Sequence, residues 1–239
     1  MGSREDNLEL STRERVASLA ASQASARRLK AEGSAASELG EQLQSVSLAE
    51  AQAIIEQWPT APRKVAEKIL DHYGPPNEAT TTKMFWYRTG PWARMELSAD
   101  EVAHNFPTPH TDFLTQYVDY RVPADKAAAL VEFDGSVIVD RTAGQIAARC
   151  DHEPYNTLTL NLAVEIIEGR RSVEDARRFY GETAAAFVLG RPAPYAEKLQ
   201  FTPPEQETAD PDQSIITGPM ADQIGEKIKD IVGAGDLPT

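Results

Sequence analysis

Five stretches in the middle of the chain alternate between apolar and polar positions, which is the pattern of strands with one buried face. They are residues 82–89, 92–98, 112–122, 136–141 and 145–150. Thr89-Gly90-Pro91 separates the first two stretches and Thr142-Ala143-Gly144 the last two, so each pair is typical of a hairpin. We therefore predict a mainly antiparallel sheet of about five strands.

Other stretches favour helices, either by the spacing of their apolar residues or by propensity. They are residues 11–33, 47–58, 63–74, 124–133, 156–169, 172–190 and 219–235. Ser47 and Ser172 are each followed three residues later by an acid, Glu50 and Asp175, as in a helix N-terminal capping box. The stretch 156–169 is apolar around much of its circumference, so we expect it to be buried on more than one side.

Together these elements predict an α+β fold in which helices pack on the sheet. We expect a helical, partly mobile N-terminal extension at 1–57, an α+β core domain at 58–202 and a C-terminal tail at 203–239. The extension has only a thin apolar stripe, so it can bury little surface by itself. The tail begins with an acidic, proline-rich stretch typical of disordered linkers and ends in a short amphipathic helix.

The formal net charge of −13 opposes binding to nucleic acid and to anionic membranes. No stretch approaches the ~18 apolar residues of a membrane span. The single cysteine, Cys150, excludes a disulfide within the chain. We therefore expect a soluble cytoplasmic protein with no nucleic-acid or membrane partner. The common nucleotide, zinc-protease and serine-hydrolase motifs are missing from the sequence.

His104 and His110 lie in one short run of the sequence that also contains two prolines. If the six-residue step between them is extended, as the prolines favour, their Cα atoms are roughly 19 Å apart. They could then share a metal ion only if the loop folds back, for example through a cis Phe106–Pro107 or Thr108–Pro109 peptide bond. The extended interpretation disfavours this pair as joint ligands.

His110 and Asp112 are better placed, because residues two apart in an extended segment project to the same side. A catalytic zinc typically has three protein ligands. We take His152 as the third, with Asp151, Glu153 or His104 as further contributors. This set predicts a divalent metal ion as cofactor of a hydrolase-like enzyme.

Cys150 to Glu153 also have interpretations that involve no metal. Asp151 is a good N-cap for the helix that follows, and Glu153 would lie in its first turn, where the helix dipole favours a negative charge. Alternatively, Cys150 near a helix N-terminus could be a thiolate nucleophile, with His152 as its base. Cys150 and Glu153 are thus weak catalytic candidates, while capping and packing explain much of the cluster.

The first predicted hairpin concentrates large aromatic and basic residues. Trp86, Arg88, Trp92 and Arg94 could bind a sugar, an aromatic ligand, a carboxylate or a phosphate if one face of the hairpin is exposed. The alternative is that the aromatic residues belong to the core and that the arginines pair with nearby acids.

The last predicted helix carries apolar residues at helical spacing. They are Met220, Ile224, Ile228 and Ile231. Such a segment after an acidic tether is typical of a helix that docks on its own domain, on a second copy or on another protein. The preferred function is therefore a ligand-binding or scaffold protein with interaction-prone termini, and the divalent-metal-dependent enzyme is the alternative.

Overall fold

The computed structural model of the chain describes residues 9–31, 45–204 and 211–232. Its strands are β1 (Glu78–Ala79), β2 (Lys83–Thr89), β3 (Trp92–His104), β4 (His110–Asp119), β5 (Val137–Asp140) and β6 (Gln145–Cys150). Its helices are α1 (Thr12–Ala31), α2 (Leu48–Ile55), α3 (Thr60–Tyr73), α4 (Ala127–Phe133), α5 (Glu153–Ile167), α6 (Val173–Val188), α7 (Pro194–Glu197) and α8 (Pro219–Val232). A turn of 3-10 helix, Ala124–Lys126, leads into α4. The predicted α+β class is confirmed.

The six strands form one antiparallel sheet in the order β1-β2-β3-β4-β6-β5. Both predicted hairpins are present, β2 with β3 and β5 with β6. The prediction of about five strands is one short, because β1 contains only Glu78 and Ala79. Two residues are too few to produce an alternating pattern, so this edge strand resembles a turn in the sequence.

Strand β3 continues to His104, six residues beyond the predicted stretch. Its pairing with β4 shifts register between Leu97 and Val102, and beyond the shift His104 pairs with His110. A register shift of this kind places extra residues on one strand and breaks the alternation there. Because of this irregularity, the end of β3 cannot be recognised from the alternation in the sequence. The expectation of an extended step from His104 to His110 is wrong, since the two residues pair across the hairpin.

The core lies between one face of the sheet and the helices packed on it. Helix α5 contacts β4 and β6, and α3 contacts β3. Every residue from Asn156 to Ile167 in α5 is buried, which confirms the prediction of burial on more than one side. Sheet side chains such as Met84 and Leu97 are fully buried in the same apolar cluster.

Helix α2 belongs to this core although its sequence lies in the predicted N-terminal extension, 1–57. Ala51 and Ile55 are buried and join the main apolar cluster together with Trp58. The Ser47 hydroxyl accepts from the Glu50 N–H while the Glu50 carboxylate accepts from the Ser47 N–H, so the predicted capping box is confirmed. A well-capped helix thus anchors the start of the larger unit.

The chain forms two compact units, one of Ser37–Asp210 and one of Met1–Ala36 with Pro211–Thr239. In the second unit α1 packs against α8, and no residue of α1 is buried. Residues 205–210 of the predicted acidic linker lie outside the described residues. Within the described ranges, no helix has the length and apolar character needed to cross a membrane.

The two remaining cap predictions have different outcomes. The Ser172 hydroxyl accepts from the Asp175 N–H, so the cap of α6 is confirmed. The expected cap at Asp151 is wrong, because α5 begins one residue later and its N-cap is His152, without a side-chain cap bond. Asp151 instead bonds to its immediate neighbours along the chain.

Candidate metal centre

The end of the β3–β4 hairpin brings His104, His110 and Asp112 together. His104 pairs directly with His110 across the hairpin, and Val102 pairs with Asp112. Because side chains two apart on a strand point to the same face, all three functional side chains share one face of the sheet. Gln116 lies on that face too and accepts a hydrogen bond from Asn156 of α5, so this is the helix-covered face.

The Asp112 carboxylate lies between the two imidazoles. Its Oδ2 is 3.3 Å from Nδ1 of His104, and its Oδ1 is 3.1 Å from Nε2 of His110. The two rings are 4.9 Å apart between centroids. In the part of the chain that the structure describes, these are the three residues whose nitrogen and oxygen atoms converge as metal ligands, all within 4.8 Å of one another.

Hydrogen bonds on the outer side orient His110. Its Nδ1 lies 2.8 Å from the backbone oxygen of Thr108, and a carbonyl oxygen can only accept, so this contact assigns the proton to Nδ1. Nε2 is therefore the ring atom that faces the Asp112 carboxylate. Metal-binding histidines commonly have this arrangement, with the second ring nitrogen donating to a carbonyl or a carboxylate.

Asp134 occupies the corresponding outer position beside His104. Its Oδ1 is 3.6 Å from Nε2 of His104. The Asp134 carboxylate is itself fixed by the backbone N–H and hydroxyl of Ser136, at 2.9 and 2.8 Å, and by the Thr159 hydroxyl at 3.3 Å. This arrangement directs the Nδ1 of His104 inward, toward Asp112. Sequence reasoning missed Asp134, because nothing in the Phe133-Asp134-Gly135-Ser136 turn indicates its distance from His104.

Two of the inward-facing atoms have no hydrogen-bond partner. Nδ1 of His104 and Oδ1 of Asp112 are buried and have no hydrogen-bond partner of suitable geometry. Asp112 is only 3% exposed, and a buried carboxylate without a donor is costly. Burial raises the pKa of Asp112, while the His104 and His110 imidazoles act in the opposite direction. A cation among these atoms would remove that cost.

The spacing of the atoms suits a transition metal. Ligands at about 2.1 Å from an ion, at tetrahedral or octahedral angles, lie about 3.0–3.4 Å from each other. The two distances from Asp112 to the imidazole nitrogens, 3.1 and 3.3 Å, fall in this range. These two distances involve different carboxylate oxygens, and one ligand atom from each of the three side chains lies within 4.8 Å of the others, so the side chains would draw closer together around one ion.

His152, the third ligand in the sequence prediction, is not part of this group. Its side chain is 55% exposed, and its Nδ1 lies 3.1 Å from Oδ1 of Asp151. The structure thus unites two of the three predicted ligands and adds His104, which had been a secondary contributor. The sequence could have ranked His104 higher only if the fold-back of the loop, where the Phe106–Pro107 peptide bond is cis, had been visible.

Cys150 borders the centre at the end of β6. Its Sγ is 3.4 Å from Nε2 of His110 and 3.4 Å from Oδ1 of Asp151. Burial raises the pKa of the Cys150 thiol well above its ordinary value, and the Asp151 carboxylate adds to this effect. The expected stabilised thiolate is therefore absent from this environment, and the side chain is a protonated neighbour of His110.

Glu153, the other catalytic candidate, belongs to a separate hydrogen-bond network. It accepts from the Tyr73 hydroxyl at 2.9 and 3.1 Å, from Trp92 Nε1 at 3.1 Å and from Gln116 Nε2 at 2.6 Å. Both carboxylate oxygens are thus occupied by protein donors. This saturation gives Glu153 a structural role between α3, α5 and the sheet.

The predicted ligand surface on the first hairpin does not form an exposed aromatic platform. Trp86 and Trp92 are 1% and 2% exposed and belong to the core. Arg88 pairs with Asp119, and the Arg94 guanidinium lies 3.9 Å from the centroid of the Tyr117 ring. The alternative interpretation describes the two tryptophans and Arg88, whereas Arg94 stacks on an aromatic ring and is shown with no acid partner among the described residues.

A cleft of about 650 Å³ opens beside the centre, within the Ser37–Asp210 unit. It lies between the loop at 107–109 and helix α6, and His110 and Cys150 are among its lining residues. One of the three candidate ligands is therefore accessible from a space large enough for a small organic molecule.

Comparison with known proteins adds no functional information. No protein-family model, curated protein or solved structure matches the chain. The functional information lies in the site itself, a two-histidine, one-aspartate group on an α+β scaffold next to an open cleft.

Proposed function

We propose that this protein is a divalent-metal-dependent enzyme that binds its ion through His104, His110 and Asp112. One observation carries the proposal: two imidazole nitrogens lie 3.1–3.3 Å from a buried carboxylate, and Nδ1 of His104 and Oδ1 of Asp112 have no hydrogen-bond partner. Outside the group, Thr108 and Asp134 orient the rings. A buried carboxylate beside two imidazoles is stabilised when a cation lies among them.

The donor set indicates the kind of ion. Two imidazoles and one carboxylate favour Zn²⁺, Fe²⁺ or Mn²⁺ over the oxygen-bound ions Mg²⁺ and Ca²⁺. Three protein ligands leave coordination positions for water or substrate, which is the pattern of catalytic rather than structural sites. A bound ion would supply Lewis acidity and a nucleophilic water at neutral pH. The cleft beside His110 supports access of substrate to those positions.

Metal uptake by the purified full-length protein tests the proposal. After treatment with a chelator, the protein is titrated with Zn²⁺, Mn²⁺ or Fe²⁺ in a calorimeter, and bound metal is measured by elemental analysis. We expect one ion per chain, and His104→Ala or Asp112→Ala should weaken binding by more than about 100-fold. The matched control is His152→Ala, which removes an exposed imidazole outside the group and should leave affinity unchanged.

Two results would contradict the proposal. One is a wild-type protein that takes up none of the three ions. The other is an equal loss of affinity in His152→Ala and His104→Ala, which would place the ion elsewhere. Circular dichroism of each variant shows whether it is folded, so that a loss of binding is assigned to the site.

A second proposal concerns the terminal helices, which we infer act in self-association. Helix α1 packs against α8 but has no buried residue, and a pair of helices that buries so little is only marginally stable in water. On α8, Ile224, Ile228 and Ile231 are half-buried and Met220 is 60% exposed. Pairing with the same helices of a second copy would cover these side chains in a four-helix arrangement.

Light scattering of the full-length protein tests this second proposal. We expect a dimer mass for the wild type and a monomer mass for Ile224→Asp. Gln223→Asp is the matched control, because it adds the same charge at an exposed position one residue away. A wild-type chain that stays monomeric at all concentrations would contradict self-association.

A further inference from the structure

The cleft beside the metal centre has an apolar wall. Its walls include Pro107, Pro109, Tyr155, Tyr180, Ala184 and Val188. Its volume of about 650 Å³ falls within the usual range for sites that bind small organic molecules, about 300–1,000 Å³. Rings and alkyl groups of a ligand would therefore exchange water for apolar contacts along most of this surface.

Three polar side chains of the cleft lie together at one place. Cys150 Sγ is 3.4 Å from Nε2 of His110 and 3.4 Å from Oδ1 of Asp151. Nε2 of His110 is also the atom that faces Asp112. A ligand that lies along the apolar wall would thus direct only one end toward the polar cluster and the ion.

The charges around the cleft disfavour an anionic ligand. Neither lysine nor arginine is among its described lining residues, and Asp151 contributes a carboxylate. Arg177 of α6 is engaged elsewhere: it stacks on Phe106 at 3.9 Å and donates to the Phe133 oxygen at 2.6 Å. Phosphate and carboxylate groups are normally bound by arginine, lysine or backbone donors. The cleft therefore suits an uncharged molecule.

Small residues of α6 create the space. Gly181, Ala184 and Ala185 line the cleft at the spacing of one helix face. A Cβ atom built on Gly181 would meet no other atom within 4 Å. A larger side chain at position 181 can therefore extend into the cleft without disturbing the packing, and it would improve the helix propensity of α6.

We propose that this cleft binds an uncharged, largely apolar small molecule, and that the single polar group of this molecule is the part presented to the ion. The orientation toward the ion rests on the proposed metal-dependent function. The occupancy of the cleft does not, because it depends only on the shape, the apolar wall and the charge of the lining residues.

Two probes with the same ring system test the inference: 2-(2-naphthyl)ethanol, which is neutral, and 2-naphthylacetate, which is anionic. Binding to the full-length protein is measured by calorimetry and by chemical-shift changes, before and after treatment with a chelator. We expect the alcohol to bind the chelator-treated protein at least about tenfold more tightly than the carboxylate. Gly181→Leu should weaken binding of the alcohol at least about tenfold.

The matched control is Glu182→Leu. It adds the same side chain on the same helix, at a 62% exposed position outside the cleft lining, and should leave the affinity for the alcohol unchanged. No binding of the alcohol, equal binding of both probes, or equal effects of the two leucine variants would each overturn the inference. If the chain takes up Mn²⁺, the protons of the bound alcohol nearest its hydroxyl should show the fastest relaxation, and slower relaxation there than at the ring would overturn the proposed orientation.

The metal-dependent function and the binding of a ligand in the cleft can be contradicted independently of each other. Binding of the alcohol by a chain that takes up no metal would retain the cleft and remove the metal-dependent function. Metal uptake at His104, His110 and Asp112 by a chain that does not bind the alcohol would do the reverse.

Discussion

Two carboxylates of this protein, Asp112 and Glu153, lie near one another in the fold but have opposite surroundings. Glu153 accepts hydrogen bonds from Tyr73, Trp92 and Gln116, all of which are neutral donors. Asp112 is more deeply buried, yet its nearest polar atoms are imidazole nitrogens that are not aligned to donate. Gln116 is four residues from Asp112 on the same strand, so both environments belong to one sheet face.

The difference in hydrogen bonding separates Glu153, a structural carboxylate, from Asp112, a candidate metal ligand. Burial and the Glu153 carboxylate raise the pKa of Tyr73, so its hydroxyl keeps the proton that it donates to Glu153. Every strong acceptor in that network is satisfied by the protein, as is usual in a folded interior. At Asp112 the protein leaves Oδ1 without a hydrogen-bond donor, and the charges of Arg149 and the two imidazoles offset only part of the effect of burial on its pKa. Unsatisfied atoms that converge are therefore the better guide to function here.

The largest expected effect is a loss of stability when the hydrogen-bond network of Glu153 is broken. Glu153→Ala would leave the donors of Trp92 and Gln116 buried without their shared acceptor, and the free energy of unfolding should fall by about 2–4 kcal/mol. Urea denaturation measures this loss, with the exposed Glu182→Ala as the control. Metal affinity should stay at the wild-type value. A loss below about 0.5 kcal/mol would show that the network is not structural.

The next prediction tests whether Asp134 orients the His104 ring in the group formed by His104, His110 and Asp112. Asp134→Asn should weaken metal binding by about 10–100-fold, because the carboxylate no longer orients His104. Calorimetric titration measures the affinity, and the urea midpoint of the variant shows how much stability is lost at the same time. Asp125→Asn, an exposed position, serves as the control. Unchanged affinity in Asp134→Asn would remove Asp134 from the site.

Gly90 tests how tightly the Tyr73 ring, which donates to Glu153, is packed. Gly90 has φ of 59°, and an added Cβ would lie 2.8 Å from Cε1 of Tyr73. Gly90→Ala should therefore reduce the free energy of unfolding by about 2 kcal/mol, through the left-handed backbone and the displaced ring. Gly135→Ala is the control, since its Cβ meets nothing within 4 Å. Equal midpoints in urea would contradict the tight contact between Gly90 and Tyr73.

The smallest expected effect is a gain in stability, where the preceding variants lose stability or affinity. In chelator-treated protein Asp112→Asn should raise the free energy of unfolding by about 1 kcal/mol while it abolishes metal binding, as is common when a functional group is replaced. The amide removes a buried charge and can donate to a neighbouring imidazole nitrogen. Urea denaturation without metal measures the gain, and Asp125→Asn is again the control. A destabilised Asp112→Asn would indicate that the aspartate is already satisfied.

The pH dependence of that gain follows from the raised pKa of Asp112. Because burial raises the pKa above its ordinary value of 3.8, the folded chain holds this proton to a higher pH than the unfolded chain does. The stability contributed by the group is fully present below pH 3.8 and is lost as the pH rises through the raised pKa. The wild type and Asp112→Asn should therefore converge in acid and diverge toward neutral pH.

Parts of the site differed in how far the sequence could predict them. His110 and Asp112 were predicted as a pair because they are two apart in one strand, and local geometry suffices for that. His104 depended on where β3 ends and on the register beyond Leu97, which no local pattern encodes. Asp134 depended on the packing of a turn from a distant part of the chain. Prediction therefore weakened as the sequence separation between partners increased.

The sequence by itself determined the longer helices and most of each longer strand, because the periodicity of apolar residues and the caps at Ser47 and Ser172 act within a few residues. It also determined the α+β class, since those elements can bury their apolar faces only by packing helices on the sheet. Only the tertiary structure decided which polar residues meet. Their convergence depends on the shifted β3–β4 register and on the position of the Asp134 turn, and both are set by long-range packing of the whole core.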